Sequence, residues 1–353
     1  MVILSSGDGQ QRRPWGADQA RLHRHLLRRP SLLPAGSSLL LAVSGGQDSM
    51  ALTTLLLDLR HLHGWRLQLW HGDHGWRPEA ARQAAELAHW AREQELLLRL
   101  DRADPVPRSE AAARQWRYGR LAAAAVRGGC SHVLTGHTAS DRAETLLLNL
   151  ARGSHLRGLA SLGASRLLAQ DEENAADPAG GEPLRLVRPL LIFTRQDTGR
   201  LCRERGLPVW NDSSNQDRRW ARNRLRAEVI PVLEALHPGA SRRISALAQR
   251  LEEESEGEAE LLELALGRLQ ADGDPLRLQR RRLTGLAAAS QRRLLQHWLR
   301  GCLARDPGSR TLETLVDRLG RATEPGRLNL AGGWQLHWDH STLWLRQPDE
   351  LHG

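Results

Sequence analysis

The sequence predicts an α/β fold: a doubly wound parallel sheet followed by a smaller, mainly helical C-terminal domain ending in a short β unit. Three observations carry this. From Leu39 to Leu150, apolar runs of strand length alternate with single helix-length patterns, and strands separated by one helix each pair in parallel. Beyond Gly239 the periodicity is helical, over Ala240 to Leu269, Ala287 to Leu303 and Thr311 to Leu319. Leu328, Leu330, Trp334, Leu336, Trp338, Leu343 and Leu345 then alternate as in a small β-hairpin unit.

Residues 1–17 carry Gly, Gln, Arg and Pro without periodicity and read as a disordered tail. A short amphipathic helix is expected from Asp18 to Arg28, stopped by Pro30. Leu39 to Val43 feeds a tight Ser-Gly-Gly turn and a helix running to about His61. The alternation continues as strand Arg66 to His71 and helix Pro78 to Glu93, strand Leu96 to Asp101 and helix Ser109 to Arg127, strand His132 to Gly136 and helix Ser140 to Leu150. Between Gly153 and Pro189 periodicity is lost, and the acidic, Gly/Pro/Ala-rich Asp171 to Pro183 is expected to form a mobile loop over the ligand crevice. A helix from Thr194 to about Arg205, a turn-rich stretch from Pro208 to Asn215 and a helix bearing Arg218, Arg222 and Arg226 complete this part. Pro231 and Pro238 mark a boundary, so the expected spans are 18–238 and 239–353.

Composition narrows the function. Hydrophobic content of 40% and 26% charged residues suit a soluble chain. The net charge of +9 is carried entirely by arginine, because the sequence contains no lysine. A polyanionic partner is expected, nucleic acid ahead of a membrane surface, since no basic amphipathic helix with a bulky apolar face is evident. Genomic preference for Arg codons accounts for the missing lysines but not for the surplus over acids. Cys130, Cys202 and Cys302 are far apart, which suggests no disulfide framework and fits a reducing cytoplasm. No apolar run reaches the ~18 residues of a membrane span and no secretory leader is visible.

In a doubly wound sheet the ligand sits at the carboxyl ends of the strands, and three polar clusters fall there. The first is Ser44-Gly45-Gly46-Gln47-Asp48-Ser49. Its glycines let backbone amides approach an anion at the positive end of a helix dipole. Ser44 and Ser49 add hydroxyl donors, and Asp48 is placed to hold magnesium against phosphates. The Walker loop is excluded because it needs a lysine. The blander reading is an ordinary capped turn. The second cluster, His71-Gly72-Asp73-His74-Gly75-Trp76-Arg77, sits on an irregular turn, where turn hydrogen bonding or nucleotide contacts are favoured over a zinc site. In the third, Asp141 and Glu144 lie three apart in a first helical turn, near His137. That spacing suits magnesium coordination or general-base work, against a default of acids complementing the helix dipole. Arg218, Arg222 and Arg226, four apart, form a stripe suited to a phosphate backbone, with too few neighbouring acids on its own helix to be self-neutralised.

These motifs resemble the tRNA(Ile)-lysidine synthetases, a branch of the PP-loop ATP-pyrophosphatases with a Rossmann-like fold. The resemblance rests on the Ser44 to Ser49 loop, His71-x-Asp73-His74-Gly75-x-Arg77, Glu110-Ala111-x-Ala113-Arg114-x-x-Arg117-Tyr118, Gly136-His137-x-x-x-Asp141 through Leu147, and Asp212-x-Ser214-Asn215 with Arg222-Asn223-x-x-Arg226. Thr138, Ser140 and Arg142 depart from the family's Gly-His-His-x-Asp-Asp-Gln. The resemblance implies a catalytic domain over 18–238, a tRNA-binding region over 239–353, ATP and Mg²⁺, and a CAU-anticodon tRNA(Ile) and free L-lysine as substrates. It implies no membrane partner and leaves a homodimer open. It places ATP on Ser44, Gly45, Gly46, Gln47, Asp48, Ser49, His71 and His137, and magnesium on Asp48 and Asp141. Asp48, Asp141 and Glu144 are the expected catalytic residues, Arg114, Arg117, Arg222 and Arg226 the expected tRNA contacts. The rivals are a PP-loop tRNA thiolase, which would draw on Cys130 and Cys202, and a non-catalytic RNA-binding relic.

Overall fold

The computed structural model describes residues 15–76, 78–154, 156–160, 162–168, 183–210, 218–303, 307–321 and 325–347. Most of the expected tail, most of the expected crevice loop, Arg77, and the motif Asp212 to Asn215 lie outside the described residues. The chain divides into two compact units, Met1–Glu252 and Glu253–Gly353. No helix among the described residues is long and apolar enough to cross a membrane.

The first unit is built on a six-stranded sheet. In chain order it comprises α1 (Ala17–Arg28), β1 (Ser38–Ala42), α2 (Gln47–His63), β2 (Arg66–Asp73), α3 (Ala80–Glu93), β3 (Leu97–Arg102), α4 (Glu110–Arg127), β4 (His132–Thr135), α5 (Ala139–Ala151), α6 (Leu156–Leu159), β5 (Ser165–Leu167) and β6 (Arg185–Val187). After a 3₁₀ turn over Pro189–Ile192 come α7 (Arg195–Glu204), α8 (Ala221–Arg224), a π-helical stretch over Leu225–Val229, α9 (Ile230–Leu236) and the start of α10 (Ala240–Leu269). The strand order is β3-β2-β1-β4-β6-β5, parallel except for the edge strand β5. Strands β5 and β6 are the elements hidden in the aperiodic stretch, where three residues are too few to show alternation.

β1 explains the sheet. It is paired on both sides, with Leu39, Leu40 and Leu41 wholly buried, so it reads as a continuous apolar run. Its side chains still alternate: Leu39 and Leu41 enter a core shared with α1, α2, α3 and α7, while Leu40 enters a second core shared with α4. The chain leaves β1 toward β2 and β3, then returns to place β4 on the other side of β1. The loops after β1 and β4 therefore part at the topological switch point, where such sheets open a ligand crevice.

The second unit contains the rest of α10, β7 (Gln270–Ala271), β8 (Asp274–Gln279), α11 (Arg280–Thr284), α12 (Ala288–Leu303), α13 (Ser309–Arg321), β9 (Gly326–Asn329), β10 (Gln335–Trp338) and β11 (Thr342–Arg346). Its β unit is larger than the expected hairpin, an antiparallel sheet of order β7-β8-β11-β10-β9. Leu278, Leu336, Leu343, Trp298, Leu315 and their neighbours form one apolar core between that sheet and the helices.

Candidate active site

The loop after β1 is held by its own hydroxyls. Ser49 Oγ donates to the Gly46 carbonyl at 2.9 Å and accepts from the Ser44 amide at 3.2 Å, and the Gly46 amide donates to Ser44 Oγ at 3.3 Å. Gly45 has φ +81, and a Cβ there would fall 2.2 Å from the Trp210 ring. Only glycine fits such a position. The Trp210 amide donates to the Gly45 carbonyl at 3.0 Å, so the segment after α7 backs the loop.

Across the crevice, the loop after β4 approaches just as closely. A Cβ on Gly136 would stand 2.8 Å from the Asp48 carbonyl carbon and the Ser49 amide nitrogen. That contact brings the first turns of α2 and α5 together. Thr138 caps α5 in a reciprocal box: its amide and hydroxyl donate to Asp141 Oδ2 at 2.9 and 2.7 Å, and its hydroxyl accepts from the Asp141 amide. Asp141 Oδ1 faces Arg222 at 3.3 Å and Arg226 at 3.6 Å. Burial pushes the Asp141 carboxyl up, but His137, Arg222 and the Thr138 donors outweigh it, so the group titrates below its ordinary value.

Glu144 is 1% exposed and spends both oxygens on arginine. Oε1 accepts from Arg226 Nε at 2.7 Å, while Oε2 accepts from Arg222 Nε at 2.8 Å and a second Arg226 nitrogen at 2.9 Å. The one acid within the stripe's own helical stretch, Glu228, pairs with Arg224 and not with Arg222 or Arg226. The stripe's counter-charges come from α5, and both guanidiniums are drawn onto the site. Arg218 takes no part in this cluster.

Asp48 differs from Asp141. Burial is the largest influence and raises its pKa, and the nearby Asp141 adds to it; Arg195 and the Thr198 hydrogen bond oppose without cancelling. Thr198 Oγ1 donates to Oδ1 at 2.5 Å and Arg195 stands 3.4 Å from Oδ2. Both residues belong to the first turn of α7, and sequence reasoning did not select them. A signal was available, since Thr194 and Asp197 form the same Thr-x-x-Asp cap as Thr138 and Asp141. Gln47 is turned toward that helix too, donating to the Arg195 carbonyl at 2.7 Å and to Thr198 Oγ1 at 3.1 Å.

The expected histidines lie at the strand ends. His71 Nδ1 meets the Val43 carbonyl at 2.8 Å, which requires the proton on Nδ1. His137 Nδ1 pairs with Thr135 Oγ1 at 2.8 Å; burial, reinforced by Arg188, Arg222 and Arg114, pushes its pKa down to about 4, so it is neutral at pH 7. On α4, Arg114 packs over the Tyr118 ring at 5.1 Å and Arg117 meets His74 Nε2 at 2.9 Å. In the second cluster Asp73 accepts from the Gly75 amide at 2.7 Å, a turn bond, and His74 packs against Trp76 and Trp116. Among the described residues no three His, Cys, Asp or Glu side chains converge as ligands for a metal. Cys130 and Cys202 are packed in the core, and burial raises both thiols, Cys202 to about 11. That environment disfavours the reactive thiolate a sulfur-transfer enzyme needs.

Comparison with known proteins identifies the family. A PP-loop domain model matches residues 19–233 and a TilS substrate binding domain model matches residues 278–344. The tRNA(Ile)-lysidine synthase of Parasynechococcus marenigrum is 46% identical over 339 residues, 96% of this chain and 97% of the relative. The protein of the same name from Gloeobacter violaceus is 41% identical over 315 residues, covering 89% and 91%. Among solved structures, the U34-tRNA thiolase NcsA from Methanococcus maripaludis, with its [4Fe-4S] cluster, superposes with a TM-score of 0.53 at 16% identity over 67% of this chain and 78% of its own, which shows a shared fold. With most of its length matched at this identity, the chain belongs to the tRNA(Ile)-lysidine synthase family of PP-loop ATP-using ligases.

Proposed function

We propose that the chain joins free L-lysine to C2 of the wobble cytidine in a CAU-anticodon tRNA(Ile), consuming ATP and releasing AMP and pyrophosphate. The observation that carries this reading is the facing pair of first turns, α2 with Asp48 and α5 with Asp141, pressed together at Gly136 beside the arginines held by Glu144.

In the first step, the cytidine O2 attacks the α-phosphorus of ATP and pyrophosphate leaves, so the base becomes adenylated. The Ser44 to Ser49 loop supplies amide and hydroxyl donors for the phosphates at the α2 N-terminus. Asp48 and Asp141 offer a hard, all-oxygen donor pair that fits Mg²⁺, which when bound would neutralise phosphate charge. In the second step, the lysine ε-amine attacks C2 and AMP leaves, with loss of an amine proton. Asp141 is the better carboxylate to face the ammonium, because its Oδ1 meets Arg222 and Arg226 only at 3.3 and 3.6 Å, whereas Glu144 holds both at 2.7 to 2.9 Å. Those two arginines, 39% and 24% exposed, keep N–H donors for tRNA phosphates; Arg114 and Arg117 lie on α4.

The test is incorporation of radiolabelled lysine into a tRNA(Ile) transcript with a CAU anticodon, with ATP and Mg²⁺ present and the CAU-bearing methionine tRNA as control. Label in the isoleucine transcript alone, with AMP and pyrophosphate formed, is the expected result. Pyrophosphate released without label would move the proposal to another nucleophile.

A further inference from the structure

Beside the first turn of α7, α1 presents a second basic feature that the reaction above does not use. A cavity of about 320 Å³ is lined by Arg21, Arg24, His25, Arg28 and Ile192. The four polar residues fall at positions i, i+3, i+4 and i+7 of α1, so one helix face supplies all of them. The cavity's inner wall is fixed. Arg21 donates to the Ile192 carbonyl, lies over the Phe193 ring at 4.6 Å, and pairs with Asp197 at 3.3 Å. Asp197 is itself shared with Arg242 at 2.8 Å and caps α7 through Thr194. One carboxylate thus answers two guanidiniums on the inner side.

The outer wall has no such answer. Arg24 donates to the Ala20 carbonyl at 3.2 Å, and among the described residues no carboxylate pairs with Arg24 or Arg28. The two are four apart on one helix, an arrangement of like charges that destabilises a helix unless an anion lies between them. The nearest acid on their own helix, Asp18, is already paired with Arg200 at 2.8 Å. The helix dipole accounts for a cation in the last turn, but not for a concave wall of three arginines. His25 reports the same field, since burial, followed by Arg29, Arg142, Arg28 and Arg21, pushes it down to about 4 and leaves it neutral within the cluster.

We propose that this cavity binds a phosphoryl anion, with Arg24 and Arg28 as its ligands and Arg21 as the fixed floor. Guanidinium forks match phosphate oxygens in pairs. The anion is either a backbone phosphodiester of bound RNA or a free polyphosphate, and binding assays separate the two without needing turnover, so failure of the lysine reaction would leave this test intact.

The variant is Arg24→Gln with Arg28→Gln, which keeps helix propensity and removes both charges. It should melt close to the wild-type temperature, because relief of the like-charge pair offsets the lost last-turn cation. Two titrations follow, a tRNA(Ile) transcript across salt concentrations and radiolabelled pyrophosphate at saturation. For an RNA phosphate, tRNA affinity falls several-fold and the slope of log K against log salt drops by about 2, one per lost contact. For a free anion, the tRNA slope holds and one equivalent of bound pyrophosphate disappears. Unchanged slope together with unchanged pyrophosphate stoichiometry overturns the proposal. Should the double variant fold poorly, Arg28→Gln alone carries the same reading with a slope change of about 1.

Discussion

Replacing Glu144 with Gln separates two ideas about this residue. The side chain keeps its shape, but its two equivalent acceptors become one acceptor and one donor. In the structure three guanidinium N–H groups converge on the carboxylate, at 2.7, 2.8 and 2.9 Å. A glutamine oxygen in the Oε2 place can still accept from both arginines, but as a neutral acceptor, and its amide then points N–H at Arg226 Nε. Each charge-assisted bond is worth about 1 kcal/mol more than a neutral one, so three lost charge contacts set an upper figure near ~3 kcal/mol. Arg222 and Arg226 are 39% and 24% exposed and recover part of this from water, which brings the expected loss to roughly 2 kcal/mol. For a unit of this size that lowers the melting temperature by about 4–8 °C. Activity should fall with it, since both arginines lose their anchor beside Asp141. Thermal unfolding read alongside kcat and KM is the assay. If Glu144 served as a free general base, Glu144→Gln would lose kcat with no change in melting temperature, and that result would refute the anchoring argument.

Asp48→Asn should abolish pyrophosphate release while leaving the protein as stable or more so at neutral pH. A buried carboxyl with a raised pKa favours the fold below its unfolded value and loses that contribution as pH rises through the folded one; a drop in melting temperature at pH 7 would contradict this. His137, pushed down to about 4, works the other way: its contribution is present above the unfolded value near 6.5 and is lost as pH falls toward 4. His137→Gln should therefore flatten acid destabilisation over that window by up to about 1.4 kcal/mol per pH unit, measured by urea unfolding at several pH values. Gly136→Ala should cost about 1–3 kcal/mol and nearly all activity, because the new Cβ meets backbone of Asp48 and Ser49 that cannot move aside; wild-type turnover would show that the two first turns need not touch. Cys202→Ser should retain lysine transfer with no iron or acid-labile sulfide in the protein, and loss of bound iron on that change would revive the sulfur-transfer rival.

The parts of the site that were legible in the sequence are those written locally. A strand, Ser-Gly-Gly and a helix start lie within eleven residues, and so does the run from Gly136 to Glu144; both name their own geometry. Asp272-Gly273 between β7 and β8 is a local signal of the same kind, a two-residue hairpin turn that extends the terminal sheet beyond the alternating run from Leu328 to Leu345. What could not be read is the pairing of distant charges. Glu144 lies 78 and 82 residues from its arginines, and Thr198 lies 150 from Asp48. Periodicity placed Arg222 and Arg226 on one face, but which acids that face would meet is a property of the sheet's return past β1. The same blindness made Glu144 look like a base: three residues after Asp141 it shares a helix face, yet the fold gives that face two different tasks.

The capping box at Thr138 has a consequence for how position 141 can evolve. One oxygen of Asp141 fastens the beginning of its own helix while the other looks into the crevice. A carboxylate with this double attachment cannot be traded for glutamate, whose extra methylene would carry the group past the Thr138 amide, or for asparagine, which would satisfy the cap but surrender the charge. A proton parked there would also loosen the turn that holds it in place. Chemistry at this centre is thereby tied to the folding of a single helix end, and drift at this residue is blocked from both sides at once.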